Sequence, residues 1–439
     1  MQTIQQLQAD LAAGRVTSVS LVEQSLAAIE AHRKGGGSAF VHVDPEGALR
    51  AAQASDAARR AGFVPSPIAG LPVSIKDLFD VRGQVTTAGS KALAGAQPAA
   101  QDAEAVARLR AAGAILIGRT NMSEFAFSGL GLNPHYGTPR APFDAARVAG
   151  GSTSGGAVSV AQGMAVATLG TDTGGSIRIP SAFCNLTGFK PTAHRVSLKG
   201  GVPLSRTLDS AGPLARSVSC CAILDGILSG EPLDARPAVL KGLRLYVTRD
   251  FVFNDVDPAV AAAFDAALSR LSAAGASIVP FDFPELHELP VINGGGGFTA
   301  AEAWHWHREL LRTKGDVYDQ RVAMRIRRGE QQSAADYLQL IDARARMMAV
   351  AADRLRDADA WLMPTVAVRP PRVDDLQQDD AFFSTNALVL RNTSVINFLD
   401  GCAVSLPAGE PGIGLAVCGL HDADARILQV SGAIEPVLA

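Results

Sequence analysis

Serine and glycine crowd one stretch of the chain, AGGSTSGGAVSVAQGMAVATLGTDTGGSIRIPSAFCNLTGFKPT at residues 149–192. Two clusters stand out, Gly150-Gly151-Ser152-Thr153-Ser154-Gly155-Gly156 and Thr171-Asp172-Thr173-Gly174-Gly175-Ser176. Glycine lets the backbone come close to a ligand and turns successive N–H groups toward a common point, which makes a cradle for negative charge. A hydroxyl beside such a cradle can act as a nucleophile whose developing oxyanion the amides receive. The same residues also suit an anion-binding nest in which the serines only donate hydrogen bonds.

A serine nucleophile requires a base, and Lys76 in VSIKD is the candidate. Seven of the 40 basic residues are lysine (Lys34, Lys76, Lys91, Lys190, Lys199, Lys241 and Lys314), so arginine is the default cation of this chain. An arginine keeps its proton, whereas the pKa of a lysine falls readily on burial. At its ordinary pKa of ~10.4 about one lysine in a thousand is neutral near pH 7.4, and a fall to ~7 to 8 recovers most of that factor. Lys76 sits in an apolar run, where an ammonium is costly unless paired or deprotonated. The structural alternative is a buried ion pair with Asp77 or Asp80.

Absences narrow the field. There is no GxxxxGK loop, no HExxH, no GxSxG and no serine three residues before a lysine. His305 and His307 are two apart on an expected helix and face apart, so no metal site is expected. A net charge of −3 gives no broad basic field for a phosphate backbone, which argues against nucleic acid as a partner. No apolar run approaches the ~20 residues of a membrane span. The start of the chain lacks the pattern of a signal peptide. Cys184, Cys220, Cys221, Cys402 and Cys418 are odd in number and have no CxxC spacing, so they read as buried, reduced thiols of a cytoplasmic protein.

The elements that must position these groups follow an alternating rhythm. Leu7 and Leu11, then a Thr17-Ser18 cap followed by Leu21, Val22, Leu26 and Ile29, predict two amphipathic helices, and 48–61 a third. The run 70–81 reads as a buried strand leading into a loop, and 102–121 as a helix, a glycine turn and a strand over 114–118. Strands are expected at 242–247, 277–283, 357–367 and 412–417, with helix over 258–274 and through most of 301–356. This points to an α/β fold with a mostly parallel sheet. The quartet Gly294 to Gly297 reads as a loop or a hinge.

Lys76 in GLPVSIKD, the GGSTSGG cluster and TDTGGSIRIPSAFC together resemble the amidase signature family in type, order and spacing, with 176 − 152 = 24 between the two serines. GRTNMSEFAFSG at 118–129, GFKPT at 188–192, DSAGPLARS at 209–217, WLMPTVA and SLPAG extend the likeness. The resemblance implies a Ser-Ser-Lys triad with Ser176 as nucleophile, Ser152 as bridging serine after a cis Gly151–Ser152 bond, and Lys76 as general base. It implies an oxyanion hole from the amides of Thr173, Gly174, Gly175 and Ser176, with Ser154, Asp172 and Arg178 holding the loops. The implied fold is one α/β domain over 1–439: a large mixed, mostly parallel sheet covered by helices on both faces. Its motif region spans about 70–217 and its N-terminal helices 1–65.

The implied activity is hydrolysis of a carboxamide to a carboxylate and ammonia or an amine through an acyl-enzyme, with no metal or organic cofactor. By position, Phe127 and Ser128 should lie near the acyl group, while Trp304 and Trp306 either line the pocket or pack in the core. The expected partner is a small-molecule amide, with a homodimer as one arrangement and neither nucleic acid nor membrane. Within the family the rivals are the glutamine-hydrolysing component of a tRNA-dependent amidotransferase and a hydrolase of urea-like or carbamate substrates. The tyrosine-rich GYYDAYY stretch usual in that component is missing, GDVYDQRV at 315–322 being the nearest piece. From another class, the rival is a non-catalytic anion-binding protein.

Overall fold

The computed structural model describes residues 2–439. A sheet of eleven strands runs through it, in the order Phe40–Val43, Ile115–Thr120, Pro72–Lys76, Ala167–Asp172, Ser210–Ala215, Thr187–Lys190, Cys402–Pro407, Gly414–Gly419, Ala360–Pro364, Arg244–Val247 and Ser277–Pro280. Helices flank it. Ser154–Ala161 packs on Ala167–Asp172, Val218–Ser229 on Ser210–Ala215, and Asp424–Leu438 on Cys402–Pro407 and Gly414–Gly419. Most of these strands are buried along their whole length, which only a doubly covered sheet allows.

The sheet is mixed, as expected, but parallel pairing is the minority. Four of its ten pairings are parallel and six antiparallel. The parallel pairs lie toward the two sides, where helices such as Glu104–Ala111 and Pro258–Ala273 make the crossovers. The centre is antiparallel. There Cys402–Pro407 returns as Gly414–Gly419 through a short turn closed by Ala408 N–H donating to the Ile413 carbonyl at 3.0 Å.

Local signals account for many element ends. The Thr17 hydroxyl accepts from Ser20 N–H at the start of Ser18–Lys34, and Thr3 with Gln6 forms the same reciprocal cap on Ile4–Ala12. The glycine quartet is the turn into helix Gly297–Lys314, with Gly296 at φ 111° and Gly297 at φ 61°. The segment 301–356 resolves into that helix, Gln320–Arg327 and Ala334–Arg354. All five cysteines are free and buried.

One pairing matters most for the site. Pro72–Lys76 and Ala167–Asp172 run parallel with Ile75 opposite Leu169, so both strands end on the same side of the sheet. Carboxyl ends of neighbouring parallel strands are where α/β sheets present ligand sites. Leu169→Ala, in the buried middle of this pair, is expected to cost about 2–5 kcal/mol in denaturant unfolding. Val239→Ala, at an exposed position, should stay within about 0.5 kcal/mol.

Candidate active site

Lys76 is the last residue of its strand and is fully buried. Its Nζ donates to Ser152 Oγ and to Thr171 Oγ1, both at 2.7 Å. The ion-pair alternative does not arise: Asp77 accepts from Arg119 Nε at 2.7 Å, and Asp80 from the Thr86 hydroxyl at 2.6 Å. Burial lowers the Lys76 ammonium to about 7, against the pull of the Asp172 and Asp209 carboxylates. A buried lysine whose hydrogen-bond partners are hydroxyls can be neutral near physiological pH, when its lone pair becomes a proton acceptor.

The Gly151–Ser152 peptide bond is cis. Gly151 N–H donates to the Gly129 carbonyl at 2.8 Å, and the Ser152 carbonyl accepts from Ser123 N–H at 3.2 Å, so this turn is held by the loop 123–129. Thr153 N–H donates to the Ser176 carbonyl at 3.2 Å, which ties the two serine clusters together. Among the described residues no hydrogen bond joins the Ser152 and Ser176 side chains. Ser154 departs from expectation. Its hydroxyl is buried without a hydrogen-bond partner, so it holds no loop in that way; it opens helix Ser154–Ala161.

Asp172 organises the second cluster. Its carboxylate accepts from Gly175 N–H at 2.8 Å, Ile177 N–H at 3.2 Å, Arg178 Nε at 3.0 Å and Arg178 Nη2 at 2.9 Å. Burial pushes this carboxyl up, but the Arg178 charge and hydrogen bonds, with Lys190 and Asn397, hold it well below the usual carboxylate range. Arg178 Nη1 reaches the Thr393 carbonyl at 3.0 Å and Nη2 reaches Asn397 Oδ1 at 2.6 Å, so the pair is anchored to helix Asp379–Phe398.

The cradle is narrower than four amides. Gly175 N–H is taken by Asp172, whereas the N–H groups of Thr173, Gly174 and Ser176 have no internal partner among the described residues. Gly175 has φ 134°, and a Cβ there would lie 2.2 Å from Thr393 Oγ1. Thr393 and Ser394 both donate to the Gly174 carbonyl, at 2.6 and 3.2 Å, turning that carbonyl away from the cradle.

Thr173, Gly174 and Ser176 form one wall of a cavity of about 690 Å³. Phe127 and Ser128 also line it, and the Ser128 hydroxyl donates to Asn386 Oδ1 at 3.0 Å. Trp304 and Trp306 do not line it. Two cations do. Arg325 donates from Nη1 to the Phe127 carbonyl and lies 4.4 Å above the Phe127 ring. Arg328 donates to the Gly294 carbonyl. Neither pairs with a carboxylate among the described residues. Burial draws the Arg325 guanidinium down to about 10, with Arg328 adding to the fall, which leaves it charged at neutral pH.

Several of these residues were not identified from sequence. Thr171 stands inside the quoted cluster, but nothing in its neighbours marks it as a lysine partner. Asn386, Thr393 and Asn397 were legible in principle, since spacings of seven and four put them on one face of a helix whose remaining residues include many apolar ones. Arg325 and Arg328 lie in the run QRVAMRIRRG, where charge alone does not distinguish a pocket residue from a solvated one.

A family model described as Amidase matches residues 20–428. The chain is 38% identical over 434 residues to the 2-amino-5-chloromuconic acid deaminase of Comamonas testosteroni, covering 96% of this chain and 93% of the relative. It is 34% identical to the glutamine-hydrolysing component of the glutamyl-tRNA(Gln) amidotransferase of Chloroflexus aggregans, covering 97% and 94%. A solved structure described as an amidase superposes with a TM-score of 0.92 at 33% identity, covering all of both chains. The sheet, the ordered motifs and these relationships agree: the chain belongs to the amidase signature family of hydrolases that act on linear amide C–N bonds.

Proposed function

We propose that the chain is an amidase that cleaves a carboxamide through an acyl-enzyme on Ser176, with Lys76 as the base and Ser152 as the relay. The observation that carries this reading is a fully buried Lys76 bonded to the Ser152 and Thr171 hydroxyls, close to three unpartnered amides. Neutral Lys76 takes the Ser152 proton as Ser152 takes that of Ser176. This needs the Ser176 hydroxyl to turn toward Ser152, a contact that substrate binding tightens in many enzymes. Ser176 Oγ attacks the carbonyl carbon, and the N–H groups of Thr173, Gly174 and Ser176 receive the oxyanion. The proton then passes back through Ser152 to the nitrogen, the C–N bond breaks, and water hydrolyses the ester. Loss of one oxyanion donor typically costs ~3 to 4 kcal/mol.

The cations give the substrate its class. Arg325 and Arg328 line the cavity of Ser176 without carboxylate partners, so an acyl group that carries its own carboxylate would complete them. The relative from Comamonas testosteroni is named for a muconic acid, in keeping with an acidic substrate. A second reading, glutamine hydrolysis on behalf of an amidotransferase, has the Chloroflexus aggregans relative in its favour. Ammonia release from glutamine alone, compared with simple dicarboxylic monoamides, separates the two. We infer a cytoplasmic enzyme from its free, buried thiols.

Three outcomes follow. Lys76→Ala should lower kcat/KM by about 10²–10⁴ while the circular dichroism spectrum is retained, and mass spectrometry after fluorophosphonate treatment should find the label on Ser176. Activity requires the neutral lysine, so kcat/KM should rise with pH through about 7 and level off above it; a flat profile there removes Lys76 as the base. Arg325→Met should raise KM for a carboxylate-bearing amide by roughly 10- to 100-fold, the equivalent of about 1.5–3 kcal/mol for a hydrogen bond to a charged group. Under the same change an uncharged amide should be affected far less.

A further inference from the structure

A second cavity of about 520 Å³ adjoins the first, and the two share Ala126, Thr173 and Leu204 as walls. Ser176 lines the first cavity and not the second, while Thr171, the hydroxyl partner of Lys76, lines the second and not the first. The line from nucleophile to base therefore crosses from one cavity to the other. In amide cleavage the acyl carbon stays on the nucleophile, and the nitrogen accepts the proton held on the base side. The nitrogen thus faces the second cavity.

Ammonia does not account for a space of that size, since a molecule as small as water occupies about 30 Å³ in the liquid. The walls are largely apolar, with Leu78, Leu198, Val202, Leu204 and Trp306 around a polar inner end at Thr171, Thr173 and Asp209. Asp209 accepts from the Thr173 hydroxyl at 2.5 Å and from Leu204 N–H at 3.0 Å, so it fixes the wall between the two cavities. His194, Lys199 and Arg206 stand exposed at the outer side, where the cavity can open to solvent.

We infer that this cavity receives the amine half of the substrate, so that the enzyme accepts secondary amides bearing an apolar alkyl or aryl group on nitrogen as well as primary ones. This rests on the amidase reading above. The C–N bond breaks, the acyl group remains as an ester on Ser176, and the nitrogen leaves as a neutral amine carrying the proton that Ser176 gave up. The amine departs on the side of Thr171 without passing the acyl group. Apolar walls favour such a group through burial of its surface.

The test uses the primary amide and the N-benzyl amide of one acid, adipic acid monoamide and its N-benzyl form, on the wild type, Leu198→Trp and Val202→Trp. The wild type should release ammonia from the first and benzylamine from the second. Either tryptophan, by filling the cavity, should lower the ratio of kcat/KM for the N-benzyl amide over the primary amide by about tenfold or more; a smaller fall overturns the inference. A measurement without variants runs beside it: benzylamine added to the wild type at pH 9 with the primary amide should capture the acyl-enzyme as the N-benzyl amide. Absence of that product overturns the inference too. A wild type that cleaves the primary amide and is labelled on Ser176 but releases no benzylamine sinks this inference and leaves the amidase reading standing. One that cleaves neither and is not labelled sinks both.

Discussion

A lysine held in the sheet with hydroxyls for partners is the constraint on which the rest of the architecture rests. Removing an ammonium from water is costly unless a counter-charge meets it, and the nearest carboxylates are committed elsewhere, Asp77 to Arg119 and Asp172 to Arg178. The cost is met by loss of the proton, which turns Lys76 from a structural cation into a base. Two neighbouring ion pairs are thus part of the base: by occupying the carboxylates they leave Lys76 to the hydroxyls of Ser152 and Thr171.

The second organising element is Asp172. It stands at the end of a strand, uses both oxygens on backbone amides and on Arg178, and through Asn397 connects the turn around Ser176 to a distant helix. A carboxylate that accepts so many donors stays ionised, and its fixed charge orients the turn. It also takes Gly175 N–H out of the cradle, which leaves Thr173, Gly174 and Ser176 to present theirs. Removing that single acceptor would free one amide and loosen three.

What was legible in the sequence followed from strong local rules. Thr17 as a helix cap, the strand that ends at Lys76, and the helix from Pro258 all came from periodicity and capping. The strands Ala167–Asp172, Thr187–Lys190, Ser210–Ala215 and Cys402–Pro407 did not, because each is buried on both faces and so carries no alternation, and glycine or proline interrupts several. Those strands form the antiparallel centre, which is why the expected share of parallel pairing was too high. The serines and Lys76 were legible because few residue types can do that chemistry. Arg325 was not, since its function comes from having no acid beside it in three dimensions, and a sequence rich in arginine does not display that.

The anchoring of Arg178 to Thr393 and Asn397, and of Thr187–Lys190 to Cys402–Pro407, has a consequence for how the protein is made. Residues that bear the nucleophile leave the ribosome more than two hundred positions before the residues that neutralise and hold them. Contacts so far apart in sequence form late, after the loop between them has closed. The newborn chain therefore carries its reactive serine in an unfinished setting, and hydrolytic competence arrives with the last strands of the sheet, a built-in delay that keeps a half-made enzyme from acting.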